Sequence, residues 1–149
     1  MIRQLLLGAK DYLHKLYQIR DHILASMLHL EHLRELISSV SMKRPVVCGG
    51  INSNYLPDYN AELVNKTIDL EAHILLEIDN YAKYEREAIR RIELIPDPLL
   101  RDILLWHYVD FEPWGIIANK LSCTERWVYG LRQKALEAFS DKNKLISHI

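Results

Sequence analysis

The chain has little with which to staple or punctuate a fold. Its 149 residues include only two cysteines, five glycines and five prolines. Cys48 and Cys123 lie far apart and match no CxxC pattern, so neither a disulfide framework nor a cysteine-based zinc site is expected. Excess charge is also missing, the formal net charge being -1. That excludes a basic coat that binds nucleic acid without sequence preference, while leaving room for a module with one small basic face. No apolar run approaches the ~20 residues that a membrane span needs. The opening "MIRQLLLGAKDYLHKLYQIRD" has a short leucine run, but charges resume before a signal-peptide core is complete. Export is therefore not expected, and the cytoplasm is the expected location.

Signatures of catalysis are absent too. The sequence contains no Ser/His/Asp arrangement, phosphate-cradling loop or nucleotide motif. "VVCGGINSN" pairs two glycines but lacks both GxGxxG and the Walker lysine, and Cys48 has no placed histidine partner. An enzyme is not expected, and no cofactor is implied. His22, His29 and His32 fall on one helical side with Glu35, an arrangement metals use. Nothing else completes a ligand set, so a solvated helix face is the preferred reading.

What the sequence does have is helical periodicity. Steps of four and three from Leu5 give Leu5, Ala9, Tyr12, Leu16, Ile19, Ile23, Ser26, Leu30, Leu33, Ile37 and Val40, an apolar seam broken only by Ser26. This pattern predicts a long helix packed in coiled-coil fashion. Pro45, Gly49-Gly50, Asn52, Asn54 and Pro57 then predict an exposed loop over about 41–60. A second seam follows through Val64, Ile68, Glu71, Leu75, Ile78, Ala82, Glu85, Ile89 and Ile92. Tyr81 and Tyr84 are expected to pack in the seam or at its rim rather than to form a platform for stacked bases. The two helices form either an antiparallel hairpin or pairs with a second chain, and the periodicity leaves both open. Pro96 and Pro98 in "IPDPLL" interrupt helical continuity. The expected organisation is therefore all-α, with a long helical hairpin over 1–96 and a small separate domain over 97–149.

Three shorter helical patterns fit the C-terminal part: "LLRDILLWHYV", "PWGIIANKL" and a third from Thr124. Proline suits the first turn of the second, and Thr124 is the expected N-cap of the third, with Glu125 beside it. The link through Ser122 and Cys123 is so short that the last two helices must cross sharply, as in a helix-turn-helix. "RDILLWHYVDFEPWGIIANKLSCTERWVYGLRQKAL" resembles the sigma-70 region 4-like helix-turn-helix. The resemblance rests on His107-Tyr108, Trp114, Ile117-Ala118, Leu121, Arg126-Trp127-Val128 and Ala135-Leu136. The fuller pattern resembles phage transcriptional regulators of the ArpU and RinA type. Where that family usually has glycine before the second helix, then a Ser or Thr cap and an acidic residue, this chain has Phe111, Pro113 and Ile116. Where the turn often carries glycine, it has Ser122.

The resemblance implies a sequence-specific DNA-binding transcriptional regulator of phage or prophage genes in a bacterial host, activating late or packaging genes. Double-stranded DNA would be its partner, RNA polymerase a further one, and the N-terminal helices would make it a homodimer or higher oligomer. The third helix would enter the major groove. With Trp127, Val128, Leu131 and Ala135 expected inward, Thr124, Glu125, Arg126, Tyr129, Gly130 and Gln133 are left for the groove. Arg126 suits guanine and Gln133 suits adenine. Lys120, Arg132 and Lys134 are candidates for phosphates. Two other readings stand beside this one. One is a coiled-coil adaptor that binds a protein such as RNA polymerase without touching DNA. The other is a small-terminase-like packaging protein, although there the DNA-binding unit is typically N-terminal.

Overall fold

The computed structural model describes residues 2–42 and 56–144, and every element among them is helical. Helix α1 spans Ile2–Met42 and α2 spans Leu56–Ile92, followed by α3 (Pro98–Leu104), α4 (Trp114–Lys120) and α5 (Glu125–Lys144). The expected loop is narrower than 41–60. Helix α2 begins at Leu56, with Pro57 in its first turn, where a missing N–H costs nothing. The rest of that loop, with Cys48, lies outside the described residues.

The chain divides into two compact units, and the division falls inside α1 and α2 rather than at residue 96. Unit 1 comprises Met1–Arg20 with Tyr81–Ile149, and unit 2 comprises Asp21–Asn80.

In unit 2, α1 and α2 pair as a hairpin. Ile23, Leu30 and Leu33 from α1 and Leu63, Thr67 and Ile74 from α2 are buried. The first seam is thus borne out. The second is one residue out of register: Val64, Ile68, Leu75 and Ile78 are exposed, Leu75 at 68%. The seam that meets α1 runs through Leu63, Thr67, Leu70, Ile74 and Glu77 instead, still in steps of four and three. Helix α2 carries two adjacent apolar stripes, and the one with Val64, Ile68, Leu75 and Ile78 faces outward. Thr67 escapes a burial penalty by donating its hydroxyl to the Leu63 carbonyl at 2.8 Å. Arg34 bridges to Glu71 at 2.7 Å, and the Nε2 atoms of His22 and His73 each lie 2.9 Å from Oε1 of Glu77.

Two apolar clusters fill unit 1. The larger joins Ala9, Leu13 and Leu16 of α1, Ala88 and Ile92 of α2, Leu104 and Tyr108, and Ala135, Leu136 and Phe139 of α5. The Tyr84 ring meets the Tyr12 ring tilted at 36°, centroids 5.1 Å apart, and its hydroxyl donates to the Tyr12 carbonyl at 2.8 Å, so Tyr84 packs as expected. The smaller cluster holds Ile103, Ile117, Ala118 and Val128, with Trp106, Trp114, Leu121, Cys123 and Leu131 against it. Helix α3 sits between the two. Its neighbours Ile103 and Leu104 are both fully buried because each faces a different cluster. Asp97 caps α3, accepting from the Leu99 N–H at 3.0 Å, a start signal hidden in the sequence between two prolines. After α3 the backbone widens into a π-helical turn over Leu105–Val109, closed by the Asp110 N–H on the Leu105 carbonyl at 2.9 Å.

Candidate nucleic-acid interface

Helix α4, a four-residue turn and α5 form the helix-turn-helix. Pro113 precedes α4 in extended backbone and supplies no side-chain cap, so the helix proper starts one residue later than the proline. At the far end, the Ser122 N–H reaches the Asn119 carbonyl at 3.2 Å and the Cys123 N–H reaches Ala118 at 3.0 Å. This is the Schellman arrangement, which requires a left-handed residue after the cap. Ser122 fills that place with φ 54, where the family pattern often has glycine. Thr124 then caps α5, accepting from the Trp127 N–H at 3.3 Å. The reversal therefore takes two residues, Ser122 and Cys123, between the caps Leu121 and Thr124.

A second left-handed residue, Phe111 with φ 60, stands where the family pattern has glycine before the second helix. A non-glycine residue there costs about 1–2 kcal/mol, and packing offsets it. The ring lies edge-on to Tyr17 at 4.6 Å and under the Arg20 guanidinium at 4.3 Å.

Val128 is fully buried and Ala135 and Leu136 join the larger cluster, as expected, but Trp127 does not turn inward. It is 62% exposed. On a 3.6-residue helix whose inward axis passes through Val128, Ala135 and Phe139, position 127 falls about a quarter turn round, on the flank of the outer face. Its place in the core is taken by Trp114 and Trp106.

Arg126, Gly130 and Gln133 occupy the middle of that outer face, and all three are exposed. Thr124, Glu125, Tyr129 and Lys134 are exposed around them. A Cβ added to Gly130 would meet nothing within 4 Å, so no contact of the fold demands glycine there. The remaining two candidates are differently placed. Lys120 is engaged by Glu112 at 2.5 Å and lies over the Trp106 ring at 5.1 Å. Arg132 is half-buried, its guanidinium 5.2 Å from the Trp114 ring, and so its first role is in packing.

Behind the turn lies an aromatic stack. His107 sits on Trp114 at 3.8 Å and presents Nδ1 to the Glu112 carbonyl at 2.8 Å. A carbonyl only accepts, so Nδ1 carries the proton. Tyr17 donates to the His107 carbonyl at 2.6 Å. Burial pushes the His107 imidazole below its ordinary value of 6.5, helped by the charges of Arg132 and His14 and opposed by the Glu112 carbonyl. Burial likewise raises the Tyr108 hydroxyl, against the nearby Arg132 charge.

Histidines do converge elsewhere, though not in the set the sequence singled out. His29, His32 and Glu35 are exposed along α1, while His22 meets His73 and Glu77 across the hairpin.

Comparison with protein-family models, curated proteins and solved structures finds no match.

Proposed function

We propose that the chain is a sequence-specific DNA-binding transcriptional regulator of phage or prophage genes, an activator of late or packaging genes of the kind its sequence resembles. It would act as a homodimer whose α5 helices enter successive major grooves, with RNA polymerase as a further partner. The observation that carries this reading is the outer face of α5. Arg126 and Gln133 project beside an uncrowded Gly130, directly after a capped turn and over a packed core. Recognition helices use this geometry, with long polar side chains in the first turns and close backbone approach behind them.

Charge argues for two copies. Residues 99–149 carry seven Lys/Arg against six Asp/Glu, and Lys120 is already paired. Phosphate contacts from one chain are therefore few, and doubling the footprint is the direct way to raise affinity.

The test begins by selecting a binding site from random duplexes. Arg126→Ala should then cost about 1–3 kcal/mol in binding that site and leave the melting temperature unchanged. Trp127→Ala should change stability by no more than about 0.5 kcal/mol, as at other exposed positions. If no sequence is enriched, or Arg126→Ala binds as tightly as the parent, the recognition-helix reading is wrong. The adaptor reading draws on the outward stripe of α2, and it would be favoured if RNA polymerase is retained while no duplex is.

A further inference from the structure

Three potential ligand atoms meet where α1 faces α2 in unit 2. His73 and Glu77 are one turn apart on α2, and His22 reaches across from α1. The donor atoms of all three lie within 4.8 Å of one another. Each histidine presents Nε2, and each Nε2 is 2.9 Å from the same carboxylate oxygen, Oε1 of Glu77. The other oxygen, Oε2, is buried with no hydrogen-bond partner, although a buried carboxylate oxygen ordinarily demands one. This corner is therefore rich in acceptor capacity and short of positive charge.

From this geometry we propose that His22, His73 and Glu77 form a binding site for a divalent transition-metal ion of the zinc class, clipping α1 to α2. The donor set is two imidazoles and one carboxylate, which zinc accepts at ~2.0–2.2 Å and completes with a water as fourth ligand. Tetrahedral bonds of that length separate donors by about 3.3 Å, so each imidazole–carboxylate spacing of 2.9 Å has to open by only a few tenths of an ångström, and the two imidazole nitrogens lie within 4.8 Å of one another. Each neutral imidazole binds in the tautomer whose single proton sits on Nδ1, which leaves the Nε2 lone pair free for the metal. The ion also supplies the charge that Oε2 lacks. Imidazole nitrogen favours zinc, copper, nickel and cobalt over magnesium or calcium, which prefer all-oxygen sites. All three residues are solvent-accessible enough for the ion to enter without unfolding the hairpin. The clip also closes the long chain segment between residues 22 and 73, removing unfolded-state freedom that the hairpin otherwise restricts only by packing. The proposal is independent of DNA binding.

Titration of the full chain with Zn2+ by calorimetry, and with Co2+ by visible absorption, tests this directly. Expected is one ion per chain at micromolar affinity, a rise in melting temperature with metal concentration, and no displacement by excess Mg2+. His22→Ala and His73→Ala should each weaken binding at least tenfold while the far-ultraviolet circular dichroism stays that of the parent. His29→Ala should bind like the parent. Were His73→Ala to lose its helix signal, His73→Gln keeps the polar contact to Glu77 and removes the nitrogen ligand. The proposal is overturned if the parent shows no saturable binding, if both histidine variants bind as the parent does, if His29→Ala abolishes binding, or if one ion serves two chains.

Discussion

Gly130 concentrates the tension between holding a fold and using it. Glycine in a helix interior costs roughly 1 kcal/mol relative to alanine, and the space around its missing Cβ is open. Gly130→Ala should therefore raise stability by about that amount, readable as a higher melting temperature. If α5 approaches a phosphate or base edge at this position, the same methyl should weaken binding to the selected site. A variant that is both more stable and an equal binder would show that the glycine has no functional role. His107 makes a different prediction. Its folded-state value lies below the ordinary 6.5 because burial disfavours the charged ring. The unfolded chain therefore takes up the proton first, and the contribution of His107 is intact above pH 6.5 and lost as pH falls through the folded value. Melting temperature should fall on acidification through this window, and His107→Asn, which retains a donor for the Glu112 carbonyl, should fall less steeply. Equal slopes would remove His107 as the cause.

At the scale of elements, the two long helices show what periodicity does and does not specify. Along α1 no position of the seam read from the sequence is exposed among those whose side chains are described, while Leu24, Met27 and Leu28 lie off that seam and are exposed. Along α2 there are two stripes one residue apart, and the more hydrophobic of them faces away from α1. The stripe that actually meets α1 includes Thr67 and Glu77, polar residues admitted because the hydroxyl bonds its own helix and the carboxylate meets two histidines. Period alone cannot rank two stripes; their partners do. Trp127 lies outside the core for a related reason. Size and hydrophobicity suggested core, but Trp114 and Trp106 already filled the smaller cluster. The caps were legible where their chemistry is local, at Thr124, and concealed at Asp97 between prolines. Ser122 and Phe111 could be flagged from the sequence only as departures from a glycine pattern. Both have left-handed backbone, the conformation that glycine adopts most readily.

For the whole molecule, the outward stripe of α2 bears on assembly. Val64, Ile68, Leu75 and Ile78 are exposed on one side of α2 in unit 2, and a row of exposed apolar side chains of this kind suits an interaction face. Ile68→Asp combined with Leu75→Asp should convert a dimer into a monomer in light scattering while preserving helix content, because neither side chain is in the hairpin seam. Ile23→Asp with Leu30→Asp, by contrast, should unfold the hairpin, since both residues are buried between α1 and α2 and truncation alone of such side chains costs about 2–5 kcal/mol. A parent that is monomeric at micromolar concentration would exclude the dimer.

Helix α5 has a consequence for inheritance. Its first turns belong to the smaller cluster, while Ala135, Leu136 and Phe139 are locked against Ala9, Leu13 and Leu16 from the opposite end of the sequence. One compact body is thus encoded by two stretches of gene separated by sixty codons that encode another. A single crossover within those codons would join the first twenty residues of one lineage to the last sixty-nine of another and bring together surfaces that had not changed in concert. Exchange of the helix-turn-helix between related chains should therefore succeed only when both flanks travel together, or when Ala9, Leu13 and Leu16 happen to suit the newcomer.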